Sequence, residues 1–153
     1  MKDQIERAID LVLEQDRDEF LDLLKARGVN YTVRPDGLVD VEGNISLSYL
    51  TLIKIPVKFG SVNGYFDCSN NQLTSLKGCP EEVRGGGFYC RDNQLTSLIG
   101  CPEEVGGEFI CTDNPVDFTK KAIELAKQGK APLGLPLSWV LMKQKEKEFR
   151  EKS

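Results

Sequence analysis

Phe66-Asp67-Cys68-Ser69-Asn70-Asn71-Gln72-Leu73-Thr74-Ser75-Leu76-Lys77-Gly78-Cys79-Pro80-Glu81-Glu82-Val83 is followed, from Phe88 to Val105, by a near copy of itself. Phe, Cys, Asn, Leu, Leu, Gly-Cys-Pro-Glu-Glu and Val recur in the same order. A fixed period of about 20–29 residues is the signature of coils stacked into a solenoid, each burying its apolar edge against the next. Such a fold offers an extended surface in place of a deep pocket, which moves the expected function from catalysis towards binding.

The period extends beyond the two obvious copies. Cys68, Cys90 and Cys111 occupy one repeat position, at spacings of 22 and 21 residues, so a third coil starts at Phe109-Ile110-Cys111-Thr112-Asp113-Asn114 and stops before a Gly-Cys-Pro segment. Stepping back 21 residues exposes a degenerate leading coil. Ile45 aligns with Phe66, Leu47 with Cys68, Leu50 with Asn71, Leu52 with Leu73, Ile55 with Leu76 and Val62 with Val83. The chain therefore reads as about three and a half coils.

Each position in the repeat has a mechanical reading. Phe66 and Cys68 alternate as a short strand with one face inward. The Asn side chain turns inward to satisfy backbone groups of the bend, because buried peptide groups need partners. Leu73 and Leu76 close the core, Gly78 and Pro80 punctuate the return, and Val83 fills the far side. On these residues the chain resembles a leucine-rich repeat. More narrowly, it is similar to the short leucine-rich-repeat proteins of tailed phages and some bacteria, whose coils read Cys-Ser-x-Asn-x-Leu-Thr-Ser-Leu. The resemblance spans roughly residues 31–118. It implies an α/β repeat with one parallel sheet, a protein partner, and, if phage-encoded, an inhibitor or modulator of a host protein, including a defence component.

The 153 residues suit one solenoid with helical caps. Residues 1–30 read as a helical segment, 31–42 as a β-hairpin cap, 43–118 as the solenoid, and 119–153 as a C-terminal helical cap and tail. In the first segment Ile5, Ala8, Ile9, Val12 and Leu13 keep helical spacing, as do Phe20, Leu23 and Leu24. Asp16 with Glu19 resembles a capping box between them, which predicts either one bent helix or two short ones ending at Gly28. Tyr31 to Val33 and Leu38 to Val41 flank the turn sequence Arg34-Pro35-Asp36-Gly37. Helices are expected over Phe118 to Gln128 and again from Ser138, the second with Trp139, Met142 and Phe149 on one side. Such caps cover the apolar cross-section and strand edges of terminal coils.

Chemistry is sparse. There is no His, so neither a zinc site nor a His-activated nucleophile is expected, and the Cys lie a repeat or half a repeat apart, not in metal-binding pairs. With strands about 4.8 Å apart, the Cys ladder reads as small buried hydrophobes, in the reduced state because no signal-peptide pattern precedes it. Glu81-Glu82 and Glu103-Glu104 recur with the coil and are assigned to exposed turns. The chain is accordingly expected to be no enzyme and to need no cofactor. No run is long and apolar enough for a membrane span, and a cytoplasmic location is expected, in the host cytoplasm if phage-encoded.

Charge is uneven: residues 60–118 carry nine acidic against three basic side chains, and residues 119–153 carry nine basic against four acidic. The basic residues alternate with Glu over Lys143 to Glu148, which reads as a solvated helix face rather than a nucleic-acid contact. Between the inward positions, side chains alternate outward to the concave side of the expected sheet. Among these Tyr65, Asp67, Tyr89, Arg91 and Ile110 form a mixed aromatic and charged patch, of the types enriched at protein interfaces. Four strands span roughly 15–20 Å, part of a standard interface. Trp139 and Met142 on the last helix are a second candidate contact. A self-associating module that forms homo-oligomers is the alternative.

Overall fold

The computed structural model describes residues 3–118. The helices expected in the C-terminal part, with Trp139 and Met142, lie outside the described residues. Within them the chain is a β-solenoid of about three turns, with one N-terminal helix against its first coil.

Helix α1 (Gln4–Ala26) is continuous. Asp3 caps its start, accepting from the Glu6 N–H at 2.8 Å. Of one bent helix or two short ones, the chain forms a single helix: Glu19 accepts from Gln15 at 3.2 Å, one helical turn back, and does not close a capping box with Asp16. The helix stops at Gly28, whose φ of +78° most side chains disfavour. Gly28 N–H reaches the Lys25 carbonyl and Val29 N–H the Leu24 carbonyl, the paired bonds of a Schellman ending.

The hairpin forms as the sequence indicates. Strands β1 (Asn30–Val33) and β2 (Val39–Glu42) pair antiparallel. Arg34 Nε donates to Asp40 Oδ2 at 2.7 Å, and Asp40 Oδ1 accepts from the Ser61 N–H at 2.8 Å. These bonds, the one from Arg34 foremost, hold the Asp40 carboxyl below its ordinary value and tie the hairpin to the next coil.

Each full coil then contributes two short strands where the repeat pattern had shown one. Strands β4 (Phe59–Val62), β6 (Glu82–Val83) and β8 (Glu104–Val105) continue parallel from β2 into a five-stranded sheet. Strands β3 (Ile45–Ser46), β5 (Phe66–Asp67), β7 (Phe88–Tyr89) and β9 (Phe109–Ile110) form a second, four-stranded parallel sheet. Glu82 and Glu104 thus stand on paired strands, not in turns. Glu82–Val83 and Glu104–Val105 are too short to show alternation, so the five-stranded sheet is invisible to periodicity.

The register confirms the leading coil: Ile45 pairs with Phe66 and Phe66 with Phe88, and Val62 pairs with Val83. Between the sheets an aromatic column runs from Phe59 through Phe66 and Phe88 to Phe109, with successive ring centroids 5.3, 5.6 and 5.2 Å apart. Phe20 of α1 adds an edge contact on Phe59 at 6.5 Å and, with Leu24, seats the helix on the first coil. Leu47, Leu73, Leu76, Leu95 and Leu98 complete a core sealed from water.

The Asn side chain turns inward to the backbone of its bend, as the repeat predicts, and in addition bridges to the preceding coil. Asn71 Nδ2 donates to the carbonyls of Cys68 and Ser69 in its own coil and of Leu47 in the preceding one. Its Oδ1 accepts from the N–H groups of Leu50 and Leu52. Asn93 and Asn114 repeat the arrangement one and two coils on. The leading coil has Leu50 at this position because no coil precedes it for an Asn to bridge to. Just before each ladder Asn, the chain takes a left-handed conformation at Asn70, Asp92 and Asp113, types that tolerate it.

Candidate interaction surface

In the four-stranded sheet, Phe66, Cys68, Phe88, Cys90, Phe109 and Cys111 point into the core. Residues between them must therefore face out. Ser46, Asp67, Tyr89 and Ile110 are successive Cα partners across the sheet and form one row. Asp67, Tyr89 and Ile110 are half-buried and Ser46 and Arg91 are exposed. The five residues singled out from the sequence are thus gathered on one face.

An aromatic pair dominates that face. Tyr65 and Tyr89 meet edge to face, centroids 6.4 Å apart at 64°. They are not direct cross-strand neighbours, because the coil position after Tyr65 holds Gly87. A Cβ on Gly87 would stand 2.5 Å from the Tyr89 hydroxyl. Tyr89 therefore lies back over Gly87 and fills the gap in the row, towards Tyr65. Tyr65 is fixed from the other side, where its backbone N–H donates to Asn44 Oδ1 at 2.9 Å.

Charge flanks the pair. Asp67 Oδ1 accepts from the Ser69 N–H at 2.9 Å, which orients the carboxylate. Arg91 Nη2 lies 3.6 Å from Asp113 Oδ2 with both side chains about half exposed, a contact worth little in water. Its guanidinium can exchange that carboxylate for a partner's. The surface is a rigid sheet with two amphipathic rings, one oriented carboxylate and one loosely held cation. It has the composition of a recognition patch and no nucleophile beside a base.

The thiols take no part. Cys68, Cys79, Cys90 and Cys111 are buried and Cys101 is half-buried. Burial pushes the Cys101 thiol up to about 12 and holds Cys79 and Cys90 well above the ordinary thiol range, with neighbouring thiols adding to it. Among the described residues no cluster of His, Cys, Asp and Glu has the makings of a metal site. No described helix is long and apolar enough to cross a membrane.

Two features of the molecular surface escape sequence reasoning. Tyr49, the leading-coil counterpart of Asn70, is 77% exposed with φ of +59°, and Thr51 beside it has φ of +56°. Only comparison with the Asn and Asp of later coils hints at such a backbone. The other is the bare N-terminal half of α1, since a helical stripe does not reveal which of its turns are covered. Comparison of the chain with protein-family models, curated proteins and solved structures gives no match.

Proposed function

We propose that this chain is a short leucine-rich-repeat protein that acts as a protein–protein interaction module, with the outer face of β3, β5, β7 and β9 as its contact surface. One observation carries the reading. The inward positions repeat from coil to coil, whereas the outward row changes to Ser46, Asp67, Tyr89 and Ile110 and carries the Tyr65–Tyr89 pair. Packing dictates the first set. The second is free to encode a partner.

The nine acidic against three basic side chains over residues 60–118 favour a partner with a basic surface. Catalysis is no part of the proposal, which rests on binding alone. The resemblance to phage and bacterial short repeats extends it to a phage-encoded inhibitor or modulator of a host protein, acting in the host cytoplasm.

Solution size and affinity capture test this against self-association. The proposal expects a monomer that retains one protein from host lysate in stoichiometric amount. An oligomer whose size is independent of concentration, with no retained protein, would assign the chain to a structural role.

A further inference from the structure

The apolar stripe of α1 is covered along only part of its length. Ile5, Ile9, Val12, Phe20 and Leu24 lie on one face at helical spacing. Phe20 and Leu24 are sealed against the first coil, yet Ile5, Ile9 and Val12 are 72, 53 and 57% exposed. With Gln4, Ala8, Leu13 and the Asp16–Lys54 ion pair they line an open, largely apolar groove of about 430 Å³. Contiguous bare apolar surface of this kind marks a docking site.

Charge selects the occupant. Residues 3–22 carry eight acidic side chains against two basic. A second copy presenting its own α1 would set like charge against like, a repulsive arrangement. Residues 119–153 carry the opposite excess, nine basic against four acidic, and their sequence places Trp139, Met142 and Phe149 on one side of an expected helix. Apolar groups and charge both complement the groove. Reach is sufficient: the four-stranded sheet is about 15 Å wide, and the residues from 119 to 138, helical to Gln128 as expected and extended beyond it, span up to roughly 45 Å.

We infer that the segment around Trp139 and Met142 docks in the α1 groove of its own chain, apolar side down, with its lysines over the α1 carboxylates. The two ends of the chain then cover one another. The terminal helices are thereby withdrawn from partner binding, independently of whether the sheet face binds a partner.

Trp139 is the only tryptophan, so indole fluorescence of the full chain reports this segment alone. The inference expects a shielded indole in the wild type, with quenching by acrylamide several-fold stronger in Ile9→Glu/Val12→Glu at unchanged thermal stability of the solenoid. It also expects shielding that does not vary with protein concentration. Equal quenching in wild type and variant, whether both shielded or both exposed, overturns it. Shielding that grows with concentration overturns it too, giving the groove to a second copy. Should the variant not fold, carbodiimide coupling in the intact wild type decides. Intramolecular links between carboxylates of residues 3–22 and lysines of residues 143–152 support the inference, and their absence contradicts it.

Discussion

Asn93 Nδ2 donates to the Cys68 carbonyl at 3.0 Å, across 25 positions of sequence, and so fastens one coil to the coil before it. The same amide binds the carbonyls of Cys90 and Arg91 in its own coil, and its Oδ1 takes the Leu73 N–H at 3.0 Å. At 2% exposure no water can replace it. Asn93→Leu, close in size, leaves several buried peptide groups unpaired. We expect a loss of about 3 kcal/mol or more in chemical denaturation. Asn114→Leu, at a more exposed position, should cost about 1 kcal/mol.

Tyr49 occupies the left-handed position that later coils give to Asn70, Asp92 and Asp113. Its ring is exposed, so little packing offsets the backbone cost. Tyr49→Asn is expected to stabilise the protein by about 1 kcal/mol, read as a higher melting temperature. An unchanged or lower value would show that the ring makes a contact worth the strain.

Gly85 lies against the backbone of the preceding coil. A Cβ there would collide with the Asn63 carbonyl oxygen, part of that backbone. Gly85→Ala forces the coils apart, with an expected loss of roughly 1–3 kcal/mol. Since φ at Gly85 is not positive, the effect isolates crowding from backbone strain.

The buried thiols set an alkaline limit. Cys101 is raised from 9.0 to about 12, first by burial. Below pH 9 both folded and unfolded chains hold the proton and stability is indifferent to it. Above pH 9 the unfolded chain releases the proton first and is favoured, so stability falls through the window from 9 to about 12. Denaturation midpoints across that range check the sign. Thiol reagents should label Cys101 before the four buried cysteines, and those four only on unfolding.

Much of this architecture was legible in the sequence because a repeat states each structural demand several times over. Cys68, Cys90 and Cys111 fix the period, Asn71, Asn93 and Asn114 announce the bend, and the degenerate coil from Ile45 to Val62 follows by register alone. The five-stranded sheet was not legible: Glu82-Val83 and Glu104-Val105 are too short for alternation. The sequence leaves open whether α1 runs through Asp16 or divides there, because a capping box and an exposed helical face use the same residue types. On the candidate surface, alternation placed Tyr65, Asp67, Tyr89, Arg91 and Ile110 on one face. That Tyr89 lies back over Gly87 to meet Tyr65 depends on a missing side chain, which no periodicity reports.

If the partner surface is basic, added salt should weaken capture, because exposed charges are screened beyond about 10 Å at moderate ionic strength. Retention measured over a salt series is expected to fall steadily. Salt-independent retention would point to apolar contacts through the tyrosine pair alone.

The sheet face is tested most directly by affinity capture with the wild type, Tyr89→Ala/Arg91→Glu, and Glu104→Ala on the opposite sheet, each first shown to be folded. The account predicts that the wild type and Glu104→Ala retain the same protein and that the double variant loses it. Retention of that protein by the double variant at wild-type level would contradict the account and remove the outer face of β3, β5, β7 and β9 as the contact surface.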